Sequence, residues 1–104
     1  MQYEIHIINL DPTVGSEIRK TRPCLIISPD DLNLHLRTVQ VAPLTSNTKP
    51  LPWRVPLTFQ GKKGMIALDQ IRTVDKQRLV RKSGHLKVAA IEQVRQVIRA
   101  MLVE

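Results

Sequence analysis

Three short polar segments stand at predicted junctions between loops and strands, and their residue types suit the binding of an anion. The segments are Gly15-Ser16-Glu17, Arg22-Pro23 and Pro43-Leu44-Thr45-Ser46. A guanidinium can hold two oxygens of a phosphate or carboxylate at once, a hydroxyl can donate a further hydrogen bond, and a carboxylate can accept a proton. Each residue also has an ordinary explanation, with Glu17 as a solvated loop charge, Arg22 as a surface cation and Thr45 as a turn former.

Other catalytic patterns are missing from the sequence. It has no glycine-rich phosphate loop and no HExxH or CxxC spacing of metal ligands. His6, His35 and His85 lie in separate segments, and an isolated histidine is more often a packing or surface residue than a catalyst. Cys24 stands within an apolar strand, which favours a buried and inert thiol. The sequence therefore predicts neither a metal site nor a cofactor.

The positive charge of the chain is concentrated in its second half. The net charge is +7, with twelve basic and four acidic side chains in residues 47–104 against four basic and five acidic ones in residues 1–46. Such a surplus attracts polyanions, so a nucleic acid or an acidic protein segment is the expected partner. The alternative is a small basic domain without a specific ligand.

Length and composition favour one cytoplasmic domain over residues 1–104. A chain of 104 residues is too short for two adequate cores, and 42% hydrophobic residues is ordinary for a globular protein. No apolar run reaches the roughly 18 residues that span a bilayer, and the N-terminal residues lack the pattern of a secretion signal. One cysteine cannot form an intrachain disulfide, which fits a reducing compartment. With 3% aromatic residues, the core must be aliphatic.

Turn-forming residues divide the chain into short strands followed by one helix. Pro56 assigns the fourth strand to an edge of the sheet, because proline cannot donate a hydrogen bond to a neighbouring strand. The first loop, residues 11–21, is longer than most connections. The predicted strands cover residues 3–10, 24–27, 37–44, 53–59 and 65–74, with a turn at 61–64, a short element at 78–81 and an amphipathic helix at 88–102. This pattern is typical of a mainly β fold, a small curled antiparallel sheet or barrel.

Three motifs in the same order resemble one protein family over nearly the whole chain. The segments LDPTVGSEIRKTRP at residues 10–23, VAPLTS at 41–46 and ALDQIRTVD at 67–75 are similar to MazF/PemK-type toxins of bacterial toxin–antitoxin systems. Two positions of the first strand depart from the family pattern: Tyr3 stands where glycine is usual, and His6 where an aromatic residue is usual. The resemblance implies a small SH3-like antiparallel barrel with a C-terminal α-helix, working as a homodimer.

The resemblance also implies an activity and a set of site residues. The family's toxins cut single-stranded RNA without a metal, and a cognate antitoxin with an acidic C-terminal segment inhibits them. The implied catalytic residues are Arg22, Thr45 and Glu17, and the implied RNA-binding residues are Ser16, Ser46, Arg54 and Gln70. Since arginine does not lose its proton in proteins, Arg22 is not expected to be the base. We expect Arg22 to bind the phosphate, with proton donation as a second candidate role, and Thr45 to bind the same phosphate. Glu17 is expected to act as base or positioning group.

Two other functions share these sequence features. One is a non-catalytic member that binds RNA or antitoxin, and the joint presence of Arg22 and Thr45 argues against it. The other is a poison of DNA gyrase, because a sister family with the same barrel acts on that enzyme through its terminal helix. Residues 100–104, Ala-Met-Leu-Val-Glu, offer no aromatic residue for such recognition.

Overall fold

The computed structural model describes residues 1–10 and 20–103, in which seven strands and two α-helices form. The strands are β1 (Glu4–Asn9), β2 (Thr21–Ile26), β3 (Thr38–Thr45), β4 (Arg54–Phe59), β5 (Lys62–Ala67), β6 (Arg72–Asp75) and β7 (Leu79–His85). The helices are α1 (Asp30–His35) and α2 (Val88–Ile98), and a π-helical turn at Arg99–Val103 continues α2. Short 3-10 turns lie at Leu68–Gln70 and Lys76–Arg78. None of the helices in these ranges is long and apolar enough to cross a membrane.

The strands form one curled antiparallel sheet in which β3 is central. Their order is β4-β5-β3-β2-β1-β7, and β6 pairs with β3 as well. Strand β2 lies along one edge of β3, whereas β6 and β5 share the other edge, β6 opposite residues 38–41 and β5 opposite Leu44 and Thr45. Both edges of β3 are therefore hydrogen-bonded, and its last residue is held by β5.

The mainly β class and the C-terminal helix are confirmed, as is the edge position of the fourth strand. In the described part of the chain β4 pairs with β5 alone, so one edge of β4 has no neighbouring strand. Proline is tolerated in such an edge strand. The predicted helix at residues 88–102 corresponds to α2 and its π-helical continuation.

The predicted turn at residues 61–64 is wrong. The chain reverses at Gln60 and Gly61, whose φ angles of 51° and 77° are those of a two-residue hairpin turn. Lys62 consequently pairs with Phe59, and Gly64 with Leu57, inside the β4–β5 hairpin. The two glycines that flank Lys62 and Lys63 suggested a longer turn, but only Gly61 lies in the observed turn.

Three further elements differ from their sequence predictions. The fifth strand, predicted over residues 65–74, is interrupted at Leu68–Gln70, where the Leu68 side chain enters the core at 1% exposure. The short element at residues 78–81 is a full strand, β7, along β1. No helix was predicted at α1, because its six residues are too few for a periodic pattern.

Alternation along β3 sends side chains into two aliphatic cores, one on each face of the sheet. Val39 and Val41 face one core, and Ala42 and Leu44 face the other, which α2 covers with Val94. The buried members of the α2-facing core are Ile5, Leu25, Ala42, Leu44, Val55, Ile66, Leu68, Leu86 and Val94. No aromatic residue is among the buried members of either core in the described chain, which confirms the aliphatic core.

The dependence of the fold on α2 is tested with two valines of that helix. Val94 is fully buried and Val88 is 82% exposed. We expect Val94→Ala to lower the free energy of unfolding by about 2 kcal/mol, because it removes two buried methyl groups and leaves a cavity. Val88→Ala should change it by less than about 0.5 kcal/mol. Urea denaturation at one protein concentration measures both, and equal effects would contradict the assigned burial.

Candidate active site

A cavity of about 410 Å³ opens beside the β4–β5 hairpin, next to the core that α2 covers. Leu44 belongs to that core, Leu57 and Phe59 pack against it, and all three line the cavity. The lining residues come from β1, β2, the end of β3 and the β4–β5 hairpin. They are Ile7, Thr21, Arg22, Pro23, Leu44, Thr45, Ser46, Leu57, Phe59, Gln60, Lys62, Lys63 and Gly64.

Strand register brings Arg22 and Thr45 to this cavity from positions far apart in the sequence. Strands β2 and β3 pair antiparallel with Cys24 opposite Pro43. Arg22 and Thr45 each stand two residues beyond this pair, where β2 is paired with β1 and β3 with β5, and both residues line the cavity. Arg22 is exposed, and its backbone pairs with Ile8 of β1. Sheet pairing therefore fixes its backbone while its guanidinium meets solvent.

The Thr45 hydroxyl is arranged so that its proton is available to a ligand. Its Oγ1 accepts a hydrogen bond from the N–H of Asn47 at 3.2 Å. The Asn47 Oδ1 in turn accepts from the N–H of Lys49 at 3.1 Å, which bends the chain away just after Ser46. Because the Thr45 oxygen acts as acceptor within the turn, the hydroxyl remains free to donate to an anion.

Gly64 allows β5 to approach Thr45 closely. A Cβ atom at position 64 would lie 2.8 Å from the carbonyl oxygen of Thr45, a separation that neither backbone could accept without moving. This role of Gly64 does not follow from the turn that was predicted at residues 61–64. Only the pairing of β3 with β5, which sets Thr45 opposite Met65, reveals it.

The described walls of the cavity carry positive charge only. Arg22, Lys62 and Lys63 contribute three cations, and none of the lining residues is acidic. Cations grouped on a concave surface raise the local concentration of anions. The two lysines were not among the predicted site residues, because their segment was interpreted as a turn. Ser16 and Glu17 lie outside the described residues.

Arg54 and Gln70, both predicted to bind RNA, do not line this cavity. The Arg54 guanidinium forms two hydrogen bonds with the Asp69 carboxylate, Nε to Oδ1 at 3.2 Å and a terminal nitrogen to Oδ2 at 3.3 Å. Its side chain is 11% exposed, so this pair joins β4 to the turn at Leu68–Gln70. Gln70 is exposed at the end of that turn. Their role toward RNA stays a prediction.

The histidines and the cysteine also lie away from the cavity. His6 donates to the Glu4 carboxylate at 2.9 Å, and this bond together with one from Lys82 lowers the pKa of Glu4. Burial raises the pKa of the Cys24 thiol to about 11, which keeps the thiol neutral, as the sequence suggested. In the described chain no group of three or more His, Cys, Asp or Glu side chains is placed to hold a metal ion.

The chain is similar to known proteins of one toxin family over nearly its whole length. The family model of the PemK-like, MazF-like toxins of type II toxin–antitoxin systems matches residues 1–102. This chain belongs to that family. It is 33% identical over 105 residues to the endoribonuclease EndoA of Bacillus subtilis, an alignment that covers 95% of this chain and 90% of EndoA.

Solved structures of MazF-type toxins have the same fold. Mycobacterium tuberculosis toxin MazF-mt6 is 27% identical with a TM-score of 0.80, and the match covers 93% of each chain. A chain of the MazE–MazF complex from Deinococcus radiodurans is 25% identical with a TM-score of 0.79, covering 97% of this chain and 94% of that one. The small curled barrel with a C-terminal helix, predicted from the resemblance, is confirmed.

The backbone at Tyr3 has a conformation that suits the glycine usual at this position of the family. Tyr3 has a φ of 66°, in the left-handed region where glycine is unstrained. Hydrogen bonds hold it there, because its N–H donates to the Ile26 carbonyl at 2.7 Å and its carbonyl accepts from the Leu86 N–H at 2.9 Å. Glycine suits this MazF-like backbone, and the tyrosine at this position bears the strain.

Replacement of two glycines tests the close approach at Thr45. We expect Gly64→Ala to lower the free energy of unfolding by about 1–3 kcal/mol, because the new methyl group overlaps the Thr45 carbonyl. Gly84→Ala is the matched control, since a Cβ there meets the Phe59 ring at an ordinary 3.5 Å. Thermal unfolding of both variants measures the difference. A Gly64 variant as stable as the Gly84 variant would show that β5 lies further from Thr45.

Proposed function

We propose that this chain is a ribonuclease toxin that cuts single-stranded RNA at the cavity containing Arg22 and Thr45. The observation that carries the proposal is the convergence of a guanidinium and a hydroxyl donor from adjoining strands on one cavity, whose described walls hold three cations and no carboxylate. The name endoribonuclease for the relative EndoA supports the same reaction. RNA supplies the anion, and its 2′-hydroxyl supplies a nucleophile.

In the proposed reaction the 2′-oxygen attacks the adjacent phosphorus in line with the departing 5′-oxygen. The products are a 2′,3′-cyclic phosphate and a 5′-hydroxyl, so one proton leaves the 2′-oxygen and one reaches the 5′-oxygen. Arg22 binds two nonbridging oxygens, where negative charge grows in the transition state, and Thr45 donates its free proton to the same phosphate. Donors of this kind act most strongly at the transition state and so lower the barrier.

The general base has to come from outside the described cavity wall. The polar lining residues are Thr, Ser, Gln, Arg and Lys, and none of these types is an ordinary acceptor of a proton at neutral pH. Glu17 precedes Arg22 by five residues in the sequence. We propose Glu17 as the base or as the group that positions the 2′-hydroxyl, with Ser16 and Ser46 beside the RNA backbone.

We further propose that the toxin is a homodimer and that an antitoxin inhibits it through an acidic C-terminal segment. A spaced row of carboxylates offers the same charge as an RNA backbone to Arg22, Lys62 and Lys63. The solved MazE–MazF complex of D. radiodurans supports a partner of this class. A gyrase poison has no observation in its favour, and a non-catalytic RNA binder is the outcome that the first experiment below separates.

The role of Arg22 is tested by sequencing new 5′-hydroxyl ends after a mixed RNA pool is incubated with the protein in EDTA. The wild-type protein should produce ends clustered at one short motif. Arg22→Lys keeps the charge but loses the two-pronged geometry, so we expect at least a tenfold loss of rate, about 2–4 kcal/mol if a whole donor is lost. Arg81→Lys, an exposed position of β7 outside the cavity, is the control. Uncut RNA would favour the non-catalytic binder, and full activity of the Arg22 variant would contradict its role.

The Thr45 hydroxyl is tested with two substitutions of similar size. Thr45→Val removes the donor and should slow cleavage by about tenfold or more, the usual cost of one hydrogen bond to a charged group. Thr45→Ser keeps the hydroxyl and should retain most of the rate. The rate constants are measured under single-turnover conditions on one oligonucleotide that carries the cleavage motif. Equal rates for the two variants would exclude the hydroxyl as a phosphate ligand.

A further inference from the structure

The tip of the β4–β5 hairpin presents an aromatic ring and an ammonium group side by side. Phe59 and Lys62 flank the two-residue turn at Gln60 and Gly61 and are directly paired in the register. Opposite residues of an antiparallel hairpin have Cβ atoms roughly 5 Å apart and side chains on the same face. Both side chains line the cavity that holds Arg22 and Thr45.

The Phe59 ring is supported from behind. Its Cε1 atom lies 3.5 Å from the position that a Cβ on Gly84 would occupy, so the ring rests close to the backbone of β7. The ring also packs against the α2-facing core and is half-buried. A ring fixed on one side and open to a cavity on another is a platform that needs little ordering when a ligand stacks on it.

The cavity combines an apolar floor with a cationic rim. Phe59, Leu57, Leu44 and Ile7 give the floor, while Arg22, Lys62 and Lys63 supply the charge. A ligand that matches both parts has a flat apolar surface within a few ångströms of an anionic group. An unpaired nucleotide has this form, because its base offers a stacking face and its phosphates the charge. The cavity volume of about 410 Å³ lies in the range of small-ligand sites.

We propose that Phe59 and Lys62 form a nucleotide subsite beside the cleavage centre. The base adjoining the scissile phosphate stacks on the Phe59 ring, and Lys62 binds the phosphate on the far side of that nucleotide. The subsite rests on the proposed function in one respect, namely that the neighbouring phosphate held by Arg22 and Thr45 is the one cleaved. Because the base must leave its helical stack to reach Phe59, the subsite selects for unpaired RNA. It accepts more than one type of base, since every base has a face that can stack on the ring.

An abasic scan tests the subsite without depending on cleavage. The probe is a short oligonucleotide chosen from sequences that the wild-type protein retains from a random RNA pool, made with 2′-fluoro sugars so that no 2′-hydroxyl can attack. Each base is removed in turn, and the Kd is measured for the wild type and for Phe59→Leu, which keeps an apolar side chain against Gly84 but loses the aromatic face. We expect Phe59→Leu to weaken binding of the intact probe about tenfold and to have no effect on the probe that lacks one particular base.

The same probe tests Lys62 through the salt dependence of binding. For a single strand each phosphate contact contributes about 0.7 to the slope of log K against log salt, so Lys62→Ala should reduce the slope by about that amount. Lys87→Ala is the matched control, because Lys87 is exposed at the start of α2 and does not line this cavity. Equal slopes for the two lysine variants would refute the contact.

The outcomes separate the subsite from the nuclease activity. If the wild type cuts RNA but Phe59→Leu binds every probe as the wild type does, the subsite is wrong and the nuclease stands. If the effect of Phe59→Leu disappears for the probe that lacks one particular base, and natural RNA stays uncut, the subsite stands and the nuclease activity is wrong. Unchanged RNA binding, together with weaker binding of an acidic peptide by Phe59→Leu, would assign the Phe59 ring to a protein partner and overturn the proposal.

Discussion

The register between β2 and β3 is the constraint on which the candidate site depends. Cys24 lies opposite Pro43, and Arg22 and Thr45 stand two residues beyond that pair, one on each strand, where both line the cavity. A slip of one residue would turn one of the two side chains to the other face of the sheet. The register is fixed by burial, because Leu25 and Ala42 belong to the core under α2 while Cys24, Ile26 and Val41 belong to the core on the opposite face. Two aliphatic cores thus align a polar pair that makes no contribution to either.

The second edge of β3 adds the remaining wall of the cavity. Strand β5 can approach Thr45 because position 64 carries no side chain, and the hairpin beyond it brings Phe59, Lys62 and Lys63 to the rim. Three cations on one concave surface repel one another, so the site is maintained by its neighbours in the sheet rather than by its own interactions. Arg54 provides a contrast within the same hairpin. Its charge is matched by Asp69, and the pair holds β4 against the turn that precedes β6.

The sequence predicted the elements better than it predicted their pairing. Runs of β-branched residues located β1 to β4, and Pro56 identified an edge strand, because these signals act within a few residues. The hairpin turn was misjudged since Gly61 and Gly64 look alike in sequence, and only the pairing of Phe59 with Lys62 distinguishes a turn glycine from one beside Thr45. The ion pair of Arg54 was not predicted for a similar reason, because its Asp69 partner lies fifteen residues away in the sequence. Arg22, Thr45 and Ser46 were found through motif resemblance, and the structure brings them together.

Attack by the 2′-oxygen is tested with two oligonucleotides that differ by one oxygen atom. Both carry the cleavage motif, and one has a 2′-deoxy sugar at the nucleotide whose 2′-hydroxyl attacks. We expect the all-RNA strand to yield one fragment with a 2′,3′-cyclic phosphate and one with a 5′-hydroxyl, both identified by mass spectrometry. The deoxy strand should stay intact. Cleavage of the deoxy strand at the same bond, or a 5′-phosphate on the product, would contradict attack by the 2′-oxygen and the roles assigned to Arg22 and Thr45.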